Sequence, residues 1–387
     1  ITMNDGNARK YVVEGGVGII SSRLTFQGPL KKDTASFIVT ARRTYIDVLV
    51  QPFIKKSSPL KGSGYYFYDL NAKVNYRVSD RDRFFMSGYF GKDVFTHKNS
   101  KAGFNASIPW GNSTGSFRWN HLFTKKLFMN ATAVFSDYRF EFKAEEENFE
   151  FRLFSGIRDW NAKFDFNYFP SVLHNVKFGG IYVYHTFTPG TVSARINNVE
   201  FDLNKILKQY AHEAALYVND DFDLNSWLKI NAGVRYSYFM QVGPFDRYVK
   251  NYFDEITDTI HYNRGDKVAE YQGAEPRLTA RFKLNESTSI KAAYTQNYQY
   301  LHLAAISSVS LPTDLWVPSS DIVKPQFGVQ YAAGVFKNFK DNRYEASVEV
   351  YYKTMKNLVE FKEGSQPEST ISDNTDNGFT FGGGESY

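Results

Sequence analysis

The sequence predicts an all-β protein, a transmembrane antiparallel β-barrel. Three observations carry this reading. Side-chain character alternates with period two over long segments. The second face of those segments is ionised, not merely polar. The connections between them alternate between short and long. Composition agrees: of 387 residues, 35 are Phe and 27 are Tyr, yet only 42% are apolar. A barrel gives this combination because only alternate residues meet lipid. No apolar run approaches the roughly 18 residues that a membrane helix needs. With no cysteine, disulfide frameworks, thiolate zinc sites, iron–sulfur clusters and a cysteine nucleophile are excluded. The net charge of +5, with bases interleaved among acids, does not mark a nucleic-acid protein.

Taken along the chain, the first clear strand is Tyr66 to Val78. Tyr66, Tyr68, Leu70, Ala72, Val74 and Tyr76 share one face, and Phe67, Asp69, Asn71, Lys73, Asn75 and Arg77 the other. Trp160, Ala162, Phe164, Phe166 and Tyr168 oppose Asp159, Asn161, Lys163, Asp165 and Asn167. In Leu228 to Met240 the pairing is Leu228, Ile230, Ala232, Val234, Tyr236, Tyr238 and Met240 against Lys229, Asn231, Gly233, Arg235, Ser237 and Phe239. Leu278 to Leu284 and Ala346 to Tyr352 repeat the pattern. Such segments run roughly 10 to 14 residues, whereas strands of globular sheets run about 5 to 6. A tilted membrane strand needs about 9 to 11. A large soluble β-sheet protein is the alternative; a fully charged second face suits a wet lumen better.

Short connections fall at Gly28 to Asp33, Val78 to Asp82, Thr124 to Lys126, Pro170 to Asn175, Leu224 to Ser226, Asn285 to Ser287 and Asn338 to Asn342. Long ones fall near Gln51 to Gly64, Thr96 to Asn112, Pro189 to Lys208, Gly243 to Ala269, Leu301 to Pro325 and Leu358 to Gly384. Glu145 to Asn148 is tight where a long one belongs. Short turns on one side and long loops on the other describe an outer-membrane barrel. At roughly 28 residues per strand and connection, the chain holds about 14 strands. Residues 1–14 read as the end of a preceding domain and 15–387 as one barrel domain. Leu358 to Tyr387 reads as a loop without an alternating strand, so the barrel is expected to be incomplete at both ends.

Two stretches resemble a known family. Val13 to Ile46 contains EGGVGIISSRLTFQGPLKKDTASFIVTARRTYI, and Pro312 to Gln326 reads PTDLWVPSSDIVKPQ, preceded by YTQNYQYLHL over Tyr294 to Leu303. Both resemble TonB-dependent outer-membrane receptors, especially large ones that begin with a carboxypeptidase-regulatory-like domain and are related to SusC-type importers. The resemblance implies that the first stretch is barrel strand one, a Gly-Pro periplasmic turn and strand two. It makes ITMNDGN the last of the plug, and the second stretch the loop after strand twelve. The family barrel has 22 strands, of which this chain would supply the first part. TonB would act through a plug and TonB box that this chain does not carry.

The motifs also have physical readings. Gly28-Pro29 suits the start of a tight turn. Gly15, Gly16 and Gly18 permit close backbone approach, as beside a plug. Arg42 and Arg43 are adjacent and therefore point to opposite faces. Arg42, Arg43, Arg235, Arg277 and Arg281 are the candidates to face lumen or plug, although one of the adjacent pair is expected to snorkel at an interface. Trp316, between Asp314 and Pro318, and Tyr298 and Tyr300 are the substrate-binding candidates; Trp316 either stacks on a ligand or covers a hydrophobic loop base.

No catalytic set is expected. Gly111-Asn112-Ser113-Thr114-Gly115 matches G-x-S-x-G, but that motif requires a strand, a sharp turn and a helix, and no helical period follows. The seven histidines are scattered without metal-ligand spacing. No cofactor or metal is expected. The expected function is import of a scarce nutrient through the outer membrane of a Gram-negative bacterium. The expected partners are outer-membrane lipids, TonB and a SusD-like surface lipoprotein. A structural subunit of a larger outer-membrane complex and a passive channel are the alternatives.

Overall fold

A computed structural model describes residues 3–55, 58, 61–99, 103–197, 199–202, 208–251, 255–304, 315–361 and 379–386. The described residues fold as a 17-stranded antiparallel sheet with two small two-stranded sheets beside it. Sixteen of the 17 strands follow one another as a meander. It opens with β1 (Val12–Val17), β2 (Ser21–Lys31), β3 (Ala35–Thr44) and β4 (Gly64–Arg77). A short helix, Ile46–Val50, lies between the last two. The meander continues with β5 (Asp82–Asn99), β6 (Phe104–Thr124), β7 (Leu127–Glu146), β8 (Phe149–Tyr168) and β9 (His174–Ile196). The short β10 (Val199–Asp202) folds back onto β9. Next come β11 (Gln209–Asp223) and β12 (Leu228–Val242), then the separate hairpin β13 (Phe245–Lys250) and β14 (Ile256–Tyr262). After β15 (Lys267–Asn285) and β16 (Thr288–Gln299) stands a second hairpin, β17 (Leu301–Ala304) and β18 (Leu315–Pro318). β19 (Gln326–Phe339), β20 (Tyr344–Phe361) and β21 (Phe379–Ser386) finish the meander.

Register follows the period-two pattern because one slip would turn every side chain to the wrong face. Leu228 stands opposite Phe282 and Ala232 opposite Leu278, while Arg235 stands opposite Glu275 and Lys229 opposite Arg281. The apolar series covers the outer face. Leu216, Val348 and Trp160 there are 70%, 73% and 58% exposed, an apolar surface far too broad for water. Aromatic pairs mark its two borders. Phe84 stacks on Trp119, Phe166 on Phe178 and Trp227 on Phe282 toward the short-turn side. Tyr66 stacks on Tyr68, and Tyr184 on Tyr210, toward the loop side. Rings with one polar end settle at such borders. The charged face is the concave one, since β18 reaches across the sheet to touch β8 and β9.

Several expectations change. The described meander has 16 strands, two more than expected. One of the two is β1, which forms a hairpin with β2, so Val13 to Ile46 holds three strands. The other is β21, which pairs with β20 across part of the predicted C-terminal loop; residues 362–378 of that loop lie outside the described residues. Gly28 and Pro29 sit inside β2, and the turn comes at Lys32 to Thr34, with Asp33 at φ 59°. Gly28 is needed for another reason: a Cβ there would strike the Tyr11 ring. Gly15 and Gly16 have room for a Cβ, and the close approach is made by Gly6 against the Phe37 carbonyl.

The expected long connections are largely paired backbone. β5 and β6 continue to Asn99 and from Phe104, which absorbs most of Thr96 to Asn112. The tight connection at Glu145 to Asn148 is the tip of a hairpin of 20-residue strands. Above the membrane a hairpin can extend at full width, so the turn can be short on the outside too. Among the described residues β1 pairs only with β2 and β21 only with β20, which leaves the sheet open as expected for part of a barrel.

Candidate functional site on the inner face

The inner face over β8, β9, β11, β12 and β15 carries an ion-paired row. Side chains two residues apart on one strand share a face, and register aligns those faces across five strands. His185 on β9 is buried, with Nδ1 2.7 Å from Asp159 on β8 and Nε2 3.7 Å from Glu213 on β11. The first contact is a hydrogen bond and the second a charge contact only. Arg235 on β12 bridges two carboxylates, Glu213 at 3.2 Å and Glu275 on β15 at 3.2 Å. Glu275 is 1% exposed and also faces Arg277 at 3.8 Å. Arg277 donates to Asn297 at 3.0 Å. Charges taken this far from water persist only when paired, and the row meets that condition from one strand to the next.

An aromatic cap lies directly above, toward the loop side. Phe187, Ala211, Phe239 and Tyr300 form a buried cluster, with Tyr298 and Trp316 packed against it. Phe239 and Tyr300 stack with centroids 5.1 Å apart. The Tyr300 hydroxyl is 2.8 Å from Ser237 Oγ, so a ring that fills the cap is tied to the charged row by its polar end. The β17–β18 hairpin is held down by further bonds. Tyr271 donates its hydroxyl hydrogen to the Ser320 carbonyl at 2.6 Å, Arg247 pairs with Asp321, and His302 Nε2 meets Ser319 Oγ at 2.9 Å. Burial without a charged partner pushes the His302 imidazole down to about 4.

The five arginines separate into four places. Arg235 and Arg277 share Glu275 in the row just described. Arg42 faces inward, its guanidinium 2.7 Å from Asp69 and over the Phe67 ring at 4.7 Å. Arg281 stands near the short-turn end, level with Lys229 and Lys291. Arg43 is a correction: it faces outward, over the Tyr66 ring at 5.4 Å, because the pleat turns it away from Arg42. Of the three aromatic candidates, Tyr300 is buried, whereas Tyr298 and Trp316 are half-buried in the same cap. Trp316 packs on the cap with one side and keeps part of its surface exposed. Asp314 lies outside the described residues.

His185, Glu213 and Glu275 were missed by sequence reasoning. Glu275 had a signal, since it continues the polar series Arg277, Thr279 and Arg281 toward the loop side. The G-x-S-x-G match lies wholly within β6, with no turn or helix. Three histidines each meet one carboxylate, as His121 meets Asp82 at 2.6 Å, and His185 meets two. No group of three potential metal ligands occurs among the described residues.

A second inner-face contact involves the segment before β1. Lys73 reaches Asp5 at 2.6 Å and the Met3 carbonyl at 2.7 Å, and the Asn7 amide donates to Gln27 Oε1 at 3.0 Å. This segment thus lies on the polar face of β2 to β4.

Comparison with known proteins agrees with this architecture. Residues 35–383 match the family described as TonB dependent receptor-like, beta-barrel. No curated protein matches the chain. Solved structures show a similar fold. The ferric yersiniabactin uptake receptor FyuA from Yersinia pestis is 12% identical with TM-score 0.61, covering 92% of this chain and 56% of that one. The copper transporter OprC is 9% identical with TM-score 0.67, covering 98% and 57%. The ferripyoverdine receptor of the outer membrane of Pseudomonas aeruginosa is 12% identical with TM-score 0.64, covering 97% and 52%. The chain thus spans a little over half the length of these receptors.

Proposed function

Because the chain belongs to the TonB dependent receptor-like β-barrel family, we propose that it forms the barrel wall of an outer-membrane receptor that imports a scarce nutrient. The observation that carries this reading is the inner face, where an ion-paired row from Asp159 to Arg277 lies under a folded loop hairpin. A passive pore would keep such a passage open. Here the hairpin lies across it, as suits a receptor that holds its cargo before passage. Of the similar structures, one is by description a ferric yersiniabactin uptake receptor, one a ferripyoverdine receptor and one a copper transporter, which supports nutrient import as the class. Tyr298 and Trp316, with part of each ring still exposed, are the aromatic surfaces offered to a ligand, and Tyr300 positions them.

The finer assignment is also a proposal. The parent protein is of the large type related to SusC importers, with a carboxypeptidase-regulatory-like N-terminal domain. It is driven by TonB through a plug, and it is served by a SusD-like surface lipoprotein. Residues 1–14 lead from that plug to the wall. The contacts of Lys73 with Asp5 and Met3 support this placement, because they seat the segment inside the barrel.

The test uses the full-length protein in its own cells, with nutrients withdrawn one class at a time. Loss of the gene should abolish growth on one scarce nutrient, and loss of TonB or of the proton-motive force should do the same. Uptake that persists without TonB would favour a passive channel. Unimpaired uptake together with loss of a stoichiometric outer-membrane complex would favour a structural subunit.

A further inference from the structure

The chain that covers the inner face is seated on a polar side chain that it does not satisfy. Gln241 on β12 follows Arg235, Ser237 and Phe239 along the inner face and is 0% exposed. Its neighbours in register are Ala211 on β11 and Ala269 on β15, both too short to enclose a carboxamide. Residues 319–323, the return of the β17–β18 hairpin, close over this part of the wall. On one side Tyr271, which stands opposite Phe239, binds the Ser320 carbonyl. On the other side Arg247 pairs with Asp321.

Neither amide atom of Gln241 has a hydrogen-bond partner among the described residues. The reason lies in the cover, whose polar groups are spent elsewhere. Ser320 Oγ accepts from the amides of Ile322 and Val323, and the Ser320 amide donates to the Val323 carbonyl. The Ser319 amide donates to the Tyr300 carbonyl at 2.7 Å, and Ser319 Oγ meets His302. A buried carboxamide with neither atom bonded forfeits the bonds it makes in water. Lifting the cover returns them, so closure works against part of its own packing. One tie that holds the cover down comes from beyond the meander. Among the described residues β13 and β14 pair only with each other, so they form an arm, and Arg247 belongs to it.

We propose that residues 315–323 form a poised cover, which the unpaired Gln241 carboxamide biases toward lifting and the Arg247 clasp of the β13–β14 arm holds down. Displacing the arm therefore frees the cover. A cover seated at no cost would shut the passage for good, whereas this one is set near balance. The inference rests on the import reading only in naming what lies beneath the cover a passage.

The test is amide hydrogen exchange on the full-length protein in mild detergent at neutral pH, since exchange over 315–323 reports local opening. Gln241→Met keeps the length of the side chain and removes both unpaired atoms, so it should slow that exchange about tenfold. Gln241→Leu should act in the same direction. Arg247→Gln removes the charge of the clasp and should speed exchange about threefold. Exchange in β8, β9 and β11 should stay as it is in all three variants. Unchanged or faster exchange over 315–323 in the Gln241 variants would overturn the proposal, because the carboxamide would then be bonded where it lies. Unchanged exchange in Arg247→Gln would overturn it as well, and so would a slowing shared by the wall strands, which reports global stability. Uptake that persists without TonB would instead defeat the import reading and leave these rates as they are.

Discussion

Two sectors of the inner face are satisfied by different means. Over β8 to β15 the charges of the wall pair with one another, from Asp159 through His185, Glu213 and Arg235 to Glu275. Over β2 to β4 one cation of the wall, Arg42, pairs with Asp69 of the wall, but the buried Lys73 pairs with Asp5 and with the Met3 carbonyl, which belong to a segment that threads inside. The first sector keeps its geometry through strands that are hydrogen-bonded to each other. At Lys73 the second keeps it only while residues 3–10 stay in place. The difference separates contacts that define the wall from contacts that hold something against it.

The comparison breaks first at Arg235. Arg235→Met leaves Glu275 buried with only Arg277 at 3.8 Å and Glu213 with only His185 at 3.7 Å, and an uncompensated buried charge, here chiefly Glu275, costs about 3–5 kcal/mol. The expected result is a large fall in the midpoint of thermal unfolding in detergent. Adding Glu275→Gln removes the orphaned charge and should restore more than half of the loss. A double variant as unstable as the single one would show that packing, not charge, holds this sector.

The hairpin above that sector should answer to pH. His302 is held near 4 by burial, below its ordinary value near 6.5, so the open hairpin binds the proton more readily than the closed one. Closure is therefore fully favoured above about pH 6.5 and weakens as pH falls toward 4, by up to about 3 kcal/mol. Amide hydrogen exchange over 301–304 and 315–320 should accelerate across that window. His302→Leu should flatten the response, and acceleration that persists in it would assign the response to another group.

Much of this was legible in the sequence, and the reasons for the rest are physical. Period two placed β4, β8, β12 and β15 and sorted their faces, because lipid on one side and water on the other impose opposite demands on alternate residues. Above the membrane both faces meet water and the alternation lapses. That is why β5 to β9 ran past their expected ends, with Asp137, Arg139 and Arg158 on the outer face. Gly28-Pro29 carried a turn signature, yet the turn lies three residues on, since the glycine serves the Tyr11 ring. Arg235 and Arg277 were recognised as inward-facing, but their meeting at Glu275 depends on the register between β12 and β15, which no single strand encodes. Trp316 left two readings open, and its place against the buried cap depends on tertiary contacts that its own segment does not encode.

The threaded segment gives the smaller effects. A Cβ on Gly6 would collide with the Phe37 carbonyl, and backbone cannot yield as a flexible side chain can. Gly6→Ala should therefore cost about 1–3 kcal/mol and free residues 3–10 for protease cleavage, with the β8 to β15 sector unaffected. Lys73→Met should expose the same segment by removing the buried contacts to Asp5 and the Met3 carbonyl.

Arg9 sharpens the contrast from the other side. It pairs with Asp33 at 2.9 Å, but the two side chains are 82% and 57% exposed, and water screens such a pair almost completely. Arg9→Ala should change segment protection by less than about 0.5 kcal/mol. The two anchors have similar lengths, 2.9 Å at Arg9 and 2.6 Å at Lys73, yet the Lys73 side chain is only 9% exposed. If burial decides, Lys73→Met releases the segment and Arg9→Ala does not. Equal release by both would mean that the segment is held at its mouth by charge, and the division between the two sectors would lose its physical basis.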